Sequence, residues 1–89
     1  MLERELLVCN RLGLHARAAA RLVQLLSGYR SQVTLVGRGR EVNAKSIMGV
    51  LLLAAAPGTT LVMRATGDDE AEALDAAAAL FERRFDEDS

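Results

Sequence analysis

Apolar and polar residues alternate with two different periods along the chain, and each change of period marks a new element. The opening "ERELLVCN" reads as a first strand, closed by a turn at "RLG", where Gly13 can take backbone angles denied to other residues. From Ala16 the apolar set Ala19, Ala20, Val23 and Leu26 recurs at three- and four-residue steps, and Leu22 and Leu25 widen the stripe. This predicts an amphipathic helix with Gly28 as its C-terminal stop. In "SQVTLVGRGREVNA", Val33 and Leu35 alternate with Gln32 and Thr34, a turn falls at Gly37 to Gly39, and the chain returns through Glu41, Val42 and Asn43. That pattern is a hairpin. Ser46 then opens a short apolar helix, "SIMGVLLLAAA", which Pro57 and Gly58 end. In "TTLVMRAT", Leu61, Met63 and Ala65 alternate with Val62, Arg64 and Thr66, giving a fourth strand. The last helix places Ala71, Leu74, Ala78, Phe81 and Phe85 on one face, with acids in its first turn and Arg83 and Arg84 in its last.

The order strand–helix–strand–strand–helix–strand–helix predicts an α+β fold, an open-faced sandwich of βαββαβα type. Four antiparallel strands carry three helices on one face. The 89 residues suit one domain, with residues 85–89 expected as a flexible acidic tail.

Composition narrows the function classes. Eleven basic and twelve acidic residues give a net charge of −1, which argues against a nucleic-acid partner, since that needs a basic face. Tyr29, Phe81 and Phe85 are too few for a base-stacking platform. Cys9 is the one cysteine, so no internal disulfide forms and a reducing compartment fits. "MLERELLV" lacks the pattern of a secretory signal, and "VLLLAAAPG" is too short for membrane insertion. A cytoplasmic protein is expected.

His15, the one histidine, stands at a loop-to-helix junction. A lone histidine there can be a surface residue or an imperfect cap. Three local features point elsewhere. The free amides of Ala16, Arg17 and Ala18 form an anion site at the helix start. Arg17 adds a planar fork suited to phosphate oxygens. The positive potential of the helix start disfavours an imidazolium and leaves a ring lone pair for attack. A phosphoryl group on His15 is anionic, so the same potential would stabilise it, by ~0.3–2 kcal/mol per contact. On these features alone, cap and phosphoacceptor remain evenly matched. A metal site is not expected, because one histidine and one cysteine supply no tetrahedral set. With no P-loop the chain needs another protein to deliver phosphate, and no cofactor is expected.

"GLHAR" before an apolar helix, then "AKSIMGVLLLAA", "GTTL" and a closing acidic-to-basic helix together resemble the histidine-containing phosphocarrier (HPr) family of the phosphotransferase system. The resemblance runs from about Leu2 to Phe85, and the ending "AEALDAAAALFERRFDED" is more similar to its nitrogen-related NPr branch. It implies a relay in which enzyme I, charged by phosphoenolpyruvate, phosphorylates His15 on Nδ1 and an EIIA-type protein then receives the group. Arg17 would contact the phosphate. Ser46 would be a regulatory position, a substrate for a serine kinase. Its hydroxyl is also a natural cap for an amide near Met48 or Gly49. Leu12, Ala16, Ala20 and Arg21, with Ile47, Met48, Leu51 and Leu52, match the family's docking surface; Met48 and Leu51 or Leu52 are expected to face outward. Such a protein carries a phosphohistidine intermediate rather than acting as a stand-alone catalyst, and a monomer with transient partners suits a relay. In place of the family's proline the sequence has Ala18, which relaxes the junction by ~0.4–1 kcal/mol. A regulatory docking module of the same fold, working without phosphate relay, is the alternative.

Overall fold

The computed structural model describes residues 1–87. Strand β1 spans Leu2–Leu7 and helix α1 Ala16–Leu26; β2 (Gln32–Gly37) and β3 (Arg40–Asn43) form the hairpin. Helix α2 covers Ile47–Leu52, β4 Thr60–Thr66 and α3 Glu70–Glu82, followed by one turn at Arg84–Asp86. The sheet order is β1-β4-β2-β3 and every pair is antiparallel. The hairpin turn is the two residues Arg38 and Gly39, with φ of 53° and 76°. Two positive φ values in succession match the right-handed twist of the strands they join.

Register explains the core. Val33 faces Ala65 and Leu35 faces Met63 across β2 and β4, and Leu6 faces Leu61 across β1 and β4; all six are buried. They form the floor under the helices. The alternate residues Glu3, Arg64 and Glu41 lie on the open face, where the Arg64 guanidinium donates to both carboxylates. Ala18, Ala19, Leu22 and Leu26 of α1 and Leu74, Ala77, Ala78 and Phe81 of α3 are buried above the floor. A face of small alanines lets helix backbones approach closely, so a domain of this size can still exclude water.

Three expectations need correction, each at an element end. Helix α2 stops at Leu52 rather than running to Pro57, and Ala54 turns the chain with φ 49°. The connection that follows is held to the end of β1: the Gly58 amide donates to Val8 O at 2.7 Å and the Val8 amide to Thr59 O at 2.9 Å. An unbroken apolar run has no period to show that stop. Helix α3 ends at Glu82, so Arg83 and Arg84 lie at and beyond its cap rather than in its last turn, and Ala71 is exposed. Residues 85–87, expected as part of a tail, pack against the domain instead. Phe85 is fully buried, its ring centroid 4.7 Å from that of Phe81. Residues 88 and 89 lie outside the described residues.

Phe85 reaches the core by a reversal of the chain, because Arg84, Phe85 and Asp86 all have positive φ, between 56° and 59°. Left-handed backbone costs ~1–2 kcal/mol per residue. Burying one phenylalanine returns ~1.5–3 kcal/mol, which does not cover three such residues. The aromatic pair adds ~0.5–1.5 kcal/mol. The hydrogen bond from Arg21 Nη1 to Phe85 O supplies a charged donor as well, worth ~1.5–3 kcal/mol. Only together do these contacts offset the turn. The chain end is therefore docked on α1.

Candidate functional site

The loop from Asn10 to His15 is set by two local bonds and one to the segment after α2. The Gly13 amide donates to Asn10 O at 3.2 Å, the His15 amide to Gly13 O at 2.9 Å, and Leu14 donates to Ala55 O at 3.0 Å. Gly13 has φ 68°, and a Cβ there would come within 2.4 Å of Ala55 O. Glycine is required both by the angle and by the contact. Leu14 is buried and anchors the loop. His15, next in line, is held at the mouth of α1.

His15 is the N-cap of α1, with extended backbone (φ −81°, ψ −178°). Its Nδ1 accepts from the Arg17 amide at 3.3 Å. That is the role a serine or aspartate oxygen usually fills. An atom that accepts this bond carries a lone pair, so Nδ1 is the unprotonated ring nitrogen and it faces the free amides. Ala19 makes the first helical bond, to His15 O at 2.9 Å, which leaves the amides of Ala16 to Ala18 without helical acceptors. The side chain of His15 is 27% exposed, and Arg17 lies in the open beside it. A depression of about 590 Å³ is lined by Arg11, Leu12, His15, Ala16, Arg17, Arg21, Asp86 and Glu87. Three guanidinium groups face two carboxylates there, giving a basic concavity suited to a phosphoryl group.

The other ring nitrogen has an unforeseen partner. Nε2 lies 2.5 Å from Glu87 Oε2, across 72 residues of sequence. The second oxygen of Glu87 accepts from Asn10 Nδ2 at 2.9 Å, and the same Nδ2 donates to Gly13 O at 2.7 Å. Asn10 is fully buried, and among the described residues its Oδ1 has no partner. Both neighbours of Nδ2 are acceptors, which settles which way the amide points. Burial alone would raise the Glu87 carboxyl. The Asn10 and His15 hydrogen bonds, with the charges of His15 and Arg21, outweigh it and hold the group below the ordinary glutamate range. Sequence reasoning counted no carboxylate beside His15, because Glu87 falls in the stretch assigned to a tail. Phe85 was the available signal: an aromatic so near the end is rarely left in water.

The second predicted cluster lies on α2. Ser46 caps this helix, its Oγ accepting from the Gly49 amide at 3.1 Å. Met48, Leu52 and Ile47 are exposed by 72%, 57% and 42%, and Leu12 by 65%. Leu51 is half-buried and packs on the core, so the outward pair is Met48 and Leu52. Ala16 is exposed, Ala20 and Arg21 are half-buried, and Ala18 is fully buried. Helices α1 and α2 pack on each other, and the Ala55 carbonyl after α2 holds Leu14, so both clusters rest on one scaffold. Among the described residues no three side chains of metal-ligating type come together, and no helix is long and apolar enough to cross a membrane.

Residues 2–83 match the family model described as "PTS HPr component phosphorylation site". The phosphocarrier protein HPr of Xylella fastidiosa (strain 9a5c) is 60% identical over 89 residues, the whole of both chains. The phosphocarrier protein NPr of Shewanella violacea is 42% identical, over 99% of this chain and 97% of that one. The crystal structure of HPr from Thermoanaerobacter tengcongensis superposes with a TM-score of 0.95 at 42% identity, covering all of both chains. With its sheet order, its capping histidine and a family match over nearly its full length, the chain belongs to the HPr family of phosphocarrier proteins of the phosphotransferase system.

Proposed function

We propose that this protein accepts a phosphoryl group on His15 Nδ1 from phosphorylated enzyme I, itself charged by phosphoenolpyruvate, and passes it to an EIIA-type protein. The observation that carries the proposal is the capping geometry: Nδ1 is turned to the Arg17 amide at 3.3 Å, on the rim of a basic depression. In acceptance, the Nδ1 lone pair forms a bond to phosphorus as the donor's bond to phosphorus breaks, and the donor keeps that electron pair. The Arg17 amide, released from Nδ1, becomes a donor to a phosphate oxygen, and the Arg17 guanidinium supplies a second contact. Delivery reverses these steps. Placement and charge stabilisation do most of the work in such a transfer, so a small carrier needs no general base of its own.

Leu12, Ile47, Met48 and Leu52 supply apolar docking area for both partners, with Ala16, Ala20, Arg21 and Leu51 at its margin. A phosphate on Ser46 would place two negative charges inside that area, which is the basis for a regulatory role. The deciding experiment incubates the protein with phosphoenolpyruvate and cognate enzyme I and reads the product by mass spectrometry. An acid-labile phosphate is expected, and His15→Ala abolishes it. Label that survives the substitution moves the site elsewhere.

A further inference from the structure

We infer that Glu87 is a positioning residue for the relay, the counter-ion that holds a proton on His15 Nε2 while Nδ1 takes and releases the phosphoryl group. The inference rests on the relay proposed above and names a part of it that lies outside the histidine motif.

The geometry assigns both ring nitrogens at once. Nδ1 accepts from the Arg17 amide, so it carries no proton, and the proton of a neutral ring is then on Nε2, facing Glu87 Oε2. The carboxylate is itself fixed, because Asn10 Nδ2 donates to its other oxygen and Asn10 is buried. Asp86, its neighbour, is not equivalent: Arg83 Nε holds Asp86 Oδ1 at 2.9 Å. The remaining charged groups around the depression are Arg11, Arg17 and Arg21, all cationic. Glu87 is therefore the anion in position to neutralise the ring. The Glu87 side chain is 12% exposed, so water screens this pair less than an exposed one.

The charge balance shows what this does. When Nδ1 forms its bond to phosphorus, Nε2 keeps its proton and the ring becomes cationic. Glu87 pairs with that cation. When the bond to phosphorus breaks, its electron pair returns to Nδ1 and the leaving group is a neutral imidazole. Had Nε2 lost its proton, the leaving group would be an imidazolide anion, a far poorer one. Holding the proton keeps the phosphoryl group transferable, and no proton has to move in either direction.

The test compares wild type with Glu87→Gln, which keeps the shape and removes the charge, and Glu87→Ala, which removes both. In the unphosphorylated ¹⁵N-labelled protein, the Nε2-attached proton gives a resolved, downfield resonance that Glu87→Ala loses to solvent exchange. After labelling with phosphoenolpyruvate and enzyme I, decay of the phosphohistidine is followed across pH. An opposite charge at this range stabilises a protonated group by about one pH unit or more. In Glu87→Gln the cationic ring loses its counter-ion, and the phosphohistidine therefore decays more slowly than in wild type at alkaline pH, by roughly tenfold. Superimposable decay profiles for wild type and Glu87→Gln overturn this inference and leave the relay standing. A wild type that takes no label overturns the relay, and the inference with it. Unaltered melting of Glu87→Gln separates the effect from a loss of fold.

Discussion

Replacing Gly13 with alanine tests whether the loop that carries His15 is clamped against the segment after α2. Two costs follow from the structure. At φ 68° the added Cβ incurs left-handed strain of ~1–2 kcal/mol. It would also lie 2.4 Å from Ala55 O and 3.2 Å from Ala56 Cα, both backbone atoms that cannot rotate aside. Relieving that overlap pushes the loop off Ala55 O, the acceptor for the Leu14 amide, and forfeits a bond worth ~0.5–1.5 kcal/mol. Lower entropy of the unfolded chain returns ~0.4–1 kcal/mol. The net loss is ~1–3 kcal/mol, and in a domain of this size each kilocalorie moves Tm by ~4–8 °C. Gly39→Ala is the control, since Gly39 has φ 76° but nothing within 4 Å of its added Cβ. It carries the strain without the collision. Thermal and urea melts of the two variants therefore isolate the contact, with Gly13→Ala the less stable. The rate of phosphorylation by enzyme I separates them further. His15 follows Gly13 by two residues, and displacing a reacting atom by an ångström costs ~10²-fold in rate. If Gly13→Ala melts with Gly39→Ala and is phosphorylated at the wild-type rate, the loop is not clamped in this way.

Two further substitutions probe the first turn of α1 and the start of α3. Ala18→Pro places proline in the first turn of α1, where the amide has no helical acceptor. It should raise stability by ~0.4–1 kcal/mol, or a few degrees in Tm, with His15 labelling retained; a lower Tm would show that this buried position has no room for the ring. Asp69 ties the start of α3 to the entry of β2. Hydrogen bonds from the Ser31 hydroxyl and from the Arg30 and Ser31 amides hold its carboxyl down at about 2. A depressed carboxyl contributes stability that is fully present above its unfolded value of 3.8 and is lost as pH falls toward 2. Asp69→Asn should accordingly lower stability at neutral pH, with the difference from wild type shrinking between pH 4 and pH 2. A difference independent of pH across that window would rule the linkage out.

Sequence periodicity resolved what depends on neighbours along the chain. Val33 and Leu35, or Leu61, Met63 and Ala65, alternate because one face of the sheet is covered and the other is not. The hairpin turn and the Ser46 cap are equally local, each decided within four residues. Element ends were less legible. Beyond the stop of α2 the chain is held by Leu14 at Ala55 O and by Val8 at Gly58 and Thr59, both far back in the sequence, and "VLLLAAA" has no polar residue to mark the stop. The end of α3 was concealed because Phe85 continues the helical stripe numerically while reaching the core through a left-handed turn.

The same division runs through the site and explains its construction. The anion-binding half of His15's surroundings is made of amides one to three residues away, so the position of the histidine already implies it. The carboxylate half arrives from residue 87, on a turn whose strain is offset only by Phe85 and Arg21 at a distance. No pattern within a window of sequence can encode such a contact. It also follows that the two ring nitrogens answer to different parts of the fold: Nδ1 to the start of α1, Nε2 to the docked chain end. A change that loosens the Phe81–Phe85 contact should therefore disturb Nε2 while leaving the Nδ1 cap in place. In the proposed relay the chemistry of His15 is thereby coupled to the Phe81–Phe85 contact, through a carboxylate that the histidine motif does not contain.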